Sequence, residues 1–417
     1  MAYIPPHKRH SRDMEKPSPT AELLAPQFNR KLNLRPSAPH FVRKDLRPSG
    51  RKVDRSGKIV YANQAINKWF SIGSSDDGNL FPSCVHLEPF SVQAIEDKRG
   101  EKPLALVNSN ISQGNREEEE EVITEPWASI VVNLLPDLLS SVGHAKNEMD
   151  QDADVKLTLV AKIGKVLFHG ISEIDKNDVP NDMTLRQLKR SFYTNVSDAC
   201  IDHITAKVIP QIGVEFEEEK DIYHMKLSDA RRPDVTLSCK CTTLPELNKL
   251  KLYKVDLNPV RHMVVDISCL KQSNDMRLML RSKKTLEKLT DDEMEGIVDL
   301  INSAVLDQDA MGGLRWPLGK ATSGDRFRVI GVWHTVAKSY VNPFVRLTLR
   351  NADRYDFRTS IGEVTKEVTM KLKQVTSELL REKAEYDVIS DMLNDQLKMF
   401  WNHFVSSTSC LSSFIST

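Results

Sequence analysis

The chain has 417 residues, 40% of them hydrophobic and 28% charged, with 58 basic side chains balanced by 58 acidic ones. That length suits one or two domains plus unstructured sequence, and the neutral balance excludes a whole-protein field that would draw the chain onto nucleic acid or an anionic membrane. No window approaches the roughly 18 consecutive apolar residues of a membrane span, and Lys8, Arg9 and His10 behind a proline pair break any secretory apolar core.

A cytoplasmic or nuclear protein with no membrane association is therefore expected. The six cysteines, Cys84, Cys200, Cys239, Cys241, Cys269 and Cys410, are sparse and irregularly spaced. They read as reduced thiols.

Residues 1–58 hold fourteen basic against five acidic side chains, are rich in proline and serine, and show no sustained period. They read as a disordered basic arm. Residues 59–124 read as a mostly disordered linker with one apolar patch, Ile59-Val60-Tyr61 with Trp69-Phe70, that suits a hairpin or a docking peptide. The linker ends in the acidic run Glu117 to Glu121. A folded domain is expected over 125–405, with 406–417 as a frayed end.

Ile130, Leu134, Leu135, Leu138 and Leu139 predict a helix from Pro126, with Pro136 as a kink. Residues 155–169 alternate and predict a strand. Helices are predicted at 185–193 and 196–209, the second stopped by Pro210. Six strands then follow at 213–217, 221–227, 235–241, 251–256, 262–268 and 276–281, an antiparallel meander.

Thr290 with Asp291, Asp292 and Glu293 predicts a capped helix start. Residues 326–337 and 341–350 predict long strands, with a third near Asp356. Val364, Val368, Leu372, Val375 and Leu379 predict a closing helix, extended by Tyr386, Ile389, Leu393, Leu397, Phe400 and Phe404. The fold class expected is α+β, a largely antiparallel β-sheet, open or barrel-like, flanked by helices behind a disordered N-terminal region.

Chemistry-bearing patterns are few. Cys239-x-Cys241 with His224 and His262 sketches a tetrahedral metal site, but the alternation Val235, Leu237, Cys239, Cys241 places both thiols more simply in the core. No nucleotide-loop, nucleophile-elbow or zinc-protease motif occurs, and neither a catalytic residue, a metal nor a cofactor is implied. Arg277 and Arg281 with Lys283 and Lys284 form a basic stripe suited to phosphate contacts. The competing reading is a solvated edge strand protected by its lysines.

Glu215-x-Glu217-x-Glu219, opposed to Arg326 and Arg328, loosely resembles the E-x-E-x-K strand of the triphosphate-tunnel hydrolases, with Glu219 in place of the lysine. That resemblance implies a metal-dependent phosphohydrolase in a β-barrel, with Glu215 and Glu217 on metal and Arg326 and Arg328 on phosphate. The opening Tyr3-Ile4-Pro5-Pro6-His7-Lys8-Arg9 resembles the N-terminal tag of DEAD-box RNA helicases and other RNA-handling proteins. It implies a docking segment, although no helicase core motif is present.

Val160 to Gly170, Ile212 to Glu219 and Asp353 to Phe357 look like a land-plant protein family of unknown function. The leading expectation is a non-enzymatic interaction protein. Its arm, through Tyr3, Pro5, Pro6, His7, Lys8 and Arg9, would bind RNA or a ribonucleoprotein partner. The alternatives are the phosphohydrolase and a scaffold that offers its C-terminal amphipathic helix to a protein partner.

Overall fold

A computed structural model describes residues 52–53, 59–73, 81–109, 125–149, 155–170, 182–244, 246, 249–286 and 288–406. Of the basic arm only Lys52 and Val53 are among the described residues; its Tyr3 to Arg9 tag, the acidic run and the C-terminal end beyond Ser406 lie outside them.

Among the described residues, strands occur ahead of the boundary expected at Glu125. β1 (Lys52–Val53) and β2 (Val60–Ile72) join the main sheet, β3 (Val85–Pro89) pairs with β4 (Leu104–Asn108), and α1 (Gln93–Arg99) lies between them. The apolar patch is thus neither a hairpin nor a docking peptide. β2 runs parallel to a later strand, and Trp69 and Phe70 are buried.

α2 (Pro126–Met149) contains Pro136 within one continuous helix. β5 (Val155–His169) pairs with β11 (Asp275–Lys284) and β17 (Ile361–Leu372) along its first part and with β4 and β6 (Lys189–Tyr193) along its end. α3 (Asp182–Gln187) occupies only the start of the predicted 185–193 helix; Lys189–Tyr193 is a strand, β6, that pairs with the end of β5. α4 (Asp198–His203) continues through a π-turn to Ile212, where Gly213 takes a left-handed conformation and stops it.

The meander follows as β7 (Glu215–Asp229), β8 (Arg232–Leu244), β9 (Lys249–Leu257), β10 (Val260–Cys269) and β11 (Asp275–Lys284). β7 fuses two predicted strands. α5 (Asp291–Asn302) carries the capping box of Thr290 and Glu293. β12 (Val305–Leu306), β13 (Leu314–Arg315) and β14 (Thr322–Ser323) are short; β15 (Phe327–Val341), β16 (Val345–Asp356) and β17 (Ile361–Leu372) are long.

β17 falls where a helix was expected. Val364, Val368 and Leu372 are four apart, which is also a multiple of two, and the β-branched Val364-Thr365 and Val368-Thr369 pairs favour the extended backbone. The helical pattern starts only at α6 (Lys373–Leu380) and resumes in α7 (Tyr386–Phe400).

The main sheet runs β1-β2-β10-β11-β5-β17-β16-β15-β7-β8-β9, antiparallel except where β10 meets β2. The meander therefore breaks after β9, which lies at one end while β10 lies far across the sheet. From β11 to β9 the sheet curls until its ends touch, where Asp256 of β9 makes an isolated antiparallel bridge with Thr285 beyond β11. The ladder is not continuous at this seam. The sheet is a channel, not a closed barrel.

Helices cover the outer face. α2, α4, α6 and α7 pack on β10, β11, β5, β17 and β16, around Leu134, Leu159, Leu278, Leu347 and Leu393. α5 packs on β7, β8 and β15 through Ile297, Leu300 and Ile301, against Met225, Leu237, Cys239 and Val332. Leu372, Leu379, Leu393 and Leu397 are buried within the chain, so the C-terminal helix offers no free apolar face and the scaffold reading falls. Cys84, Cys239, Cys241 and Cys269 carry free thiols, whereas Cys200 is disulfide-bonded, contrary to the expectation of reduced thiols throughout.

Candidate anion-binding channel

With one face of each strand buried under helices, strand alternation sends the other set of side chains inward. Register carries that inner face round the sheet without a break. Lys162 lies opposite Thr369, Glu367 opposite Arg350, and Lys371 opposite Arg346. Arg354 lies opposite Trp333, Trp333 opposite His224, His224 opposite Lys240, and Lys240 opposite Lys254. On the first strand of the curl, Arg281 lies opposite Thr158 of β5 and Lys283 opposite Lys156.

Every strand of the curl except β15 therefore contributes lysine or arginine to the inner face. Those side chains are not sealed: Lys162 keeps 18% of its surface exposed and Arg350 keeps 40%. Since the opposite face is covered, that exposure belongs to the concave side and marks it as wet.

Three carboxylates sit among these cations, Glu363, Glu367 and Asp256; Glu363 lies opposite Arg354, and burial, with Glu367 adding to it, outweighs Arg354 and raises its pKa. Glu367, on β17, is 3% exposed and has Lys162 Nζ and Arg350 Nη1 each at 3.6 Å, with Arg354 Nη2 bonded directly to Oε1. Burial works against its ionisation, but Lys162, Arg354 and Arg350 outweigh that and hold it well below the usual carboxylate range. Asp256, on β9, is fully buried and receives Lys283 at 2.6 Å, Lys240 at 3.1 Å, Lys254 at 3.6 Å and the Thr285 hydroxyl at 3.0 Å. Burial again opposes the charge, and Lys283 and Lys240 overcome it.

At the channel rim Glu218 accepts from Lys220 at 2.7 Å and from Arg346, which also reaches Glu217 at 2.9 Å. His224 stacks on Trp333 with ring centroids 4.9 Å apart, and Lys226 lies 5.2 Å from the indole centroid. Burial, reinforced by Lys240, Arg350 and Lys283, pushes the His224 pKa down and keeps the ring neutral.

Lys371 and Arg281 differ from the rest. Among the described residues neither side chain has a carboxylate within ion-pair distance. Lys371 is pushed down to about 8 by burial and by Arg281, Arg346, Arg350 and Lys240. Arg281 is pushed down to about 10 by burial, Arg350 and Arg261, with Glu367 the opposing influence. Arg350 adds a buried Nε without a hydrogen-bond partner. Lys162 is likewise lowered to about 8, burial outweighing Glu367.

The sequence-derived residues divide sharply. Arg281 and Lys283 do enter the channel, but β11 is flanked by β10 and β5, so the edge-strand reading does not apply. Arg277 is held by Asp266 through two hydrogen bonds of 2.5 and 2.8 Å. Lys284 alternates to the other face of β11. The sequence reading missed Lys162, Lys240, Arg346, Arg350, Arg354 and Lys371; the alternation Arg346, Arg350, Arg354 was the available signal.

The residues suggested by the tunnel-hydrolase resemblance are not brought together. Glu215 and Glu217 are exposed at the start of β7. Arg326 is tied to Glu293 at 2.6 Å and Asp229 at 3.3 Å beside the start of α5, and Arg328 is exposed. Cys239 and Cys241 are in the core on the face of β8 opposite Lys240, with thiol pKa values raised by burial, so they form no site with His224.

The fold and this lining define a class: an α+β protein whose helix-backed antiparallel sheet curls round a basic, water-accessible channel. The chain belongs to the DUF7903 family, a domain of unknown function, which it matches over residues 53–404. No curated protein matches it in sequence.

Among solved structures it is coarsely similar to the Pct1 RNA triphosphatase of S. pombe, with a TM-score of 0.39 and 9% identity over 69% of this chain and 94% of that one. It is also coarsely similar to the Mimivirus capping enzyme triphosphatase, with a TM-score of 0.29 and 9% identity over 64% and 97% of the two chains. A putative adenylate cyclase of Bacillus halodurans gives a TM-score of 0.23 and 11% identity over 54% and 95%.

Proposed function

We propose that the protein binds a phosphate chain in the basic channel, through Lys371, Arg281 and the neighbouring Arg350 and Arg346. The observation that carries this reading is the pair of recessed cations, Lys371 and Arg281, surrounded mainly by other cations. Desolvating a cation without a counter-charge costs several kcal/mol, so a purely structural role would favour an apolar side chain at these positions. An oligophosphate brings the missing negative charge, and guanidinium and ammonium donors match its oxygens. The reading is one of binding; no group of three His, Cys, Asp or Glu side chains suited to a metal occurs among the described residues.

The experiment is thermal unfolding of the full chain with sodium tripolyphosphate against sodium sulfate at matched ionic strength. Tripolyphosphate should raise the midpoint well above the sulfate value, by the linkage of ligand to the native state. Equal midpoints in the two salts would end this reading.

A second reading is carried by the Tyr3 to Arg9 tag and the basic arm: association with RNA or a ribonucleoprotein. Ultraviolet crosslinking to RNA that disappears on deletion of residues 1–58 supports it. Crosslinking that persists without the arm, or is absent from both forms, counts against it.

A further inference from the structure

Two carboxylates of the channel, Glu367 and Asp256, are already neutralised by the chain's own cations. Glu367 is surrounded by Lys162, Arg350 and Arg354, and Asp256 by Lys240, Lys254 and Lys283. A magnesium or calcium ion needs several oxygen donors free to turn toward it, with water completing the shell. Glu367 and Asp256 each lie inside a ring of three fixed positive charges, and Glu363, the next acid along the inner face of β17, is faced by Arg354 and pushed toward its neutral form by burial and by Glu367. A divalent cation brought to Glu367 or Asp256 meets Coulomb repulsion from that ring before it meets the oxygen.

The two exposed glutamates of the E-x-E pair do not repair this. Glu217 is engaged by Arg346, and Glu215 is exposed at the start of β7, away from Glu367. The metal that the tunnel-hydrolase resemblance implies does not fit these residues.

We infer that the channel takes its phosphate ligand as the metal-free oligoanion, with fixed lysine and arginine side chains filling the role that a divalent cation has in phosphate-chain sites. The inference rests on the phosphate-chain reading above and sharpens its ligand: a tripolyphosphate unit stripped of magnesium, whether inorganic or the tail of a nucleotide. Glu367 is then a counter-charge that spaces Lys162, Arg350 and Arg354, not a metal ligand. Magnesium becomes a competitor, because it sequesters the anion that the channel binds.

The test is calorimetric titration of the full chain with sodium tripolyphosphate, and separately with ATP, first in EDTA and then in excess magnesium. Binding in EDTA that weakens about tenfold or more in magnesium is the expected result. Binding that appears only with magnesium overturns this inference and leaves the phosphate-chain reading standing. No heat in either condition removes both. Comparable affinity for the two ligands places recognition in the phosphates alone, whereas stronger ATP binding adds the nucleoside to it.

Glu367→Gln gives an independent sign. A metal ligand lost would abolish binding, whereas a counter-charge lost raises affinity for tripolyphosphate in EDTA. If that variant does not fold, Glu218→Gln at the rim, beside Arg346 and Lys220, carries the same sign with less disturbance to the core.

Discussion

Replacing Lys371 by methionine should make the unliganded protein more stable while weakening its hold on phosphate. The side chain keeps its length and apolar stem, and its charge is removed from a neighbourhood of Arg281, Arg346, Arg350 and Lys240. Its pKa falls from 10.5 to about 8, and at roughly 1.4 kcal/mol per unit this corresponds to about 3 kcal/mol of penalty on the charged form.

Partial exposure to the water of the channel screens that figure, leaving a gain on the order of 1–2 kcal/mol at neutral pH. The folded pKa lies below the unfolded one, so the penalty is complete below pH 8. It disappears as pH climbs toward 10.5, where the unfolded chain still binds the proton that the folded chain has released. The variant's advantage in chemical denaturation should therefore be largest near neutrality and vanish in alkaline buffer, with a melting-point rise of about 2–4 °C per kcal/mol at most for a domain of this size. In calorimetry the same variant should lose about tenfold in tripolyphosphate affinity. A Lys371→Met protein that is less stable at pH 7 and binds tripolyphosphate as before would refute the argument that this cation is kept for a ligand.

Phosphate affinity should fall as pH rises above about 8, because Lys162 and Lys371 both titrate there in the free protein and binding must then take up protons; titrations in buffers of different ionisation heat measure that uptake. Glu367→Ala should destabilise the fold by about 3–5 kcal/mol, since it strands Lys162, Arg350 and Arg354 without their counter-charge, and urea unfolding reads the loss. Gly164→Ala should prevent β6 from pairing, because a Cβ at that position would stand 2.0 Å from the Tyr193 carbonyl oxygen; the soluble yield and the unfolding midpoint should both drop. Thr290→Ala, which removes half of the capping box, should cost about 1 kcal/mol.

Local chemistry made much of the architecture legible. The Thr290 cap with its acidic first turn, the alternation of residues 155–169 and the helical stripe after Pro126 each encode a neighbourhood of a few residues, and each forms where it was expected. Elements decided by distant partners were not legible. The β2 segment looks isolated until β10 pairs with it in parallel, and Lys189–Tyr193 becomes a strand because the end of β5 needs a partner.

The channel was hidden for a related reason. Alternating arginines on one strand have the same pattern whether they face bulk water or the inside of a curl, and only the meeting of Asp256 with Lys283 and Thr285 decides which. Arg281 and Lys283 were singled out as a surface stripe, yet their phosphate-binding potential comes from Arg350 and Lys371, which are far away in sequence. The Glu215-x-Glu217 motif misled in the opposite direction: its spacing is right for a metal strand, but it sits at the exposed beginning of β7.

The most direct test of the channel is lysine-reactivity footprinting of the full chain by mass spectrometry, with and without sodium tripolyphosphate in EDTA. Lys371, Lys162 and Lys283 should become protected when the anion is present, while Lys383, outside the sheet, keeps its reactivity. Protection confined to arm lysines such as Lys8 and Lys16, with Lys371 and Lys162 unchanged, would place the phosphate elsewhere and contradict the account.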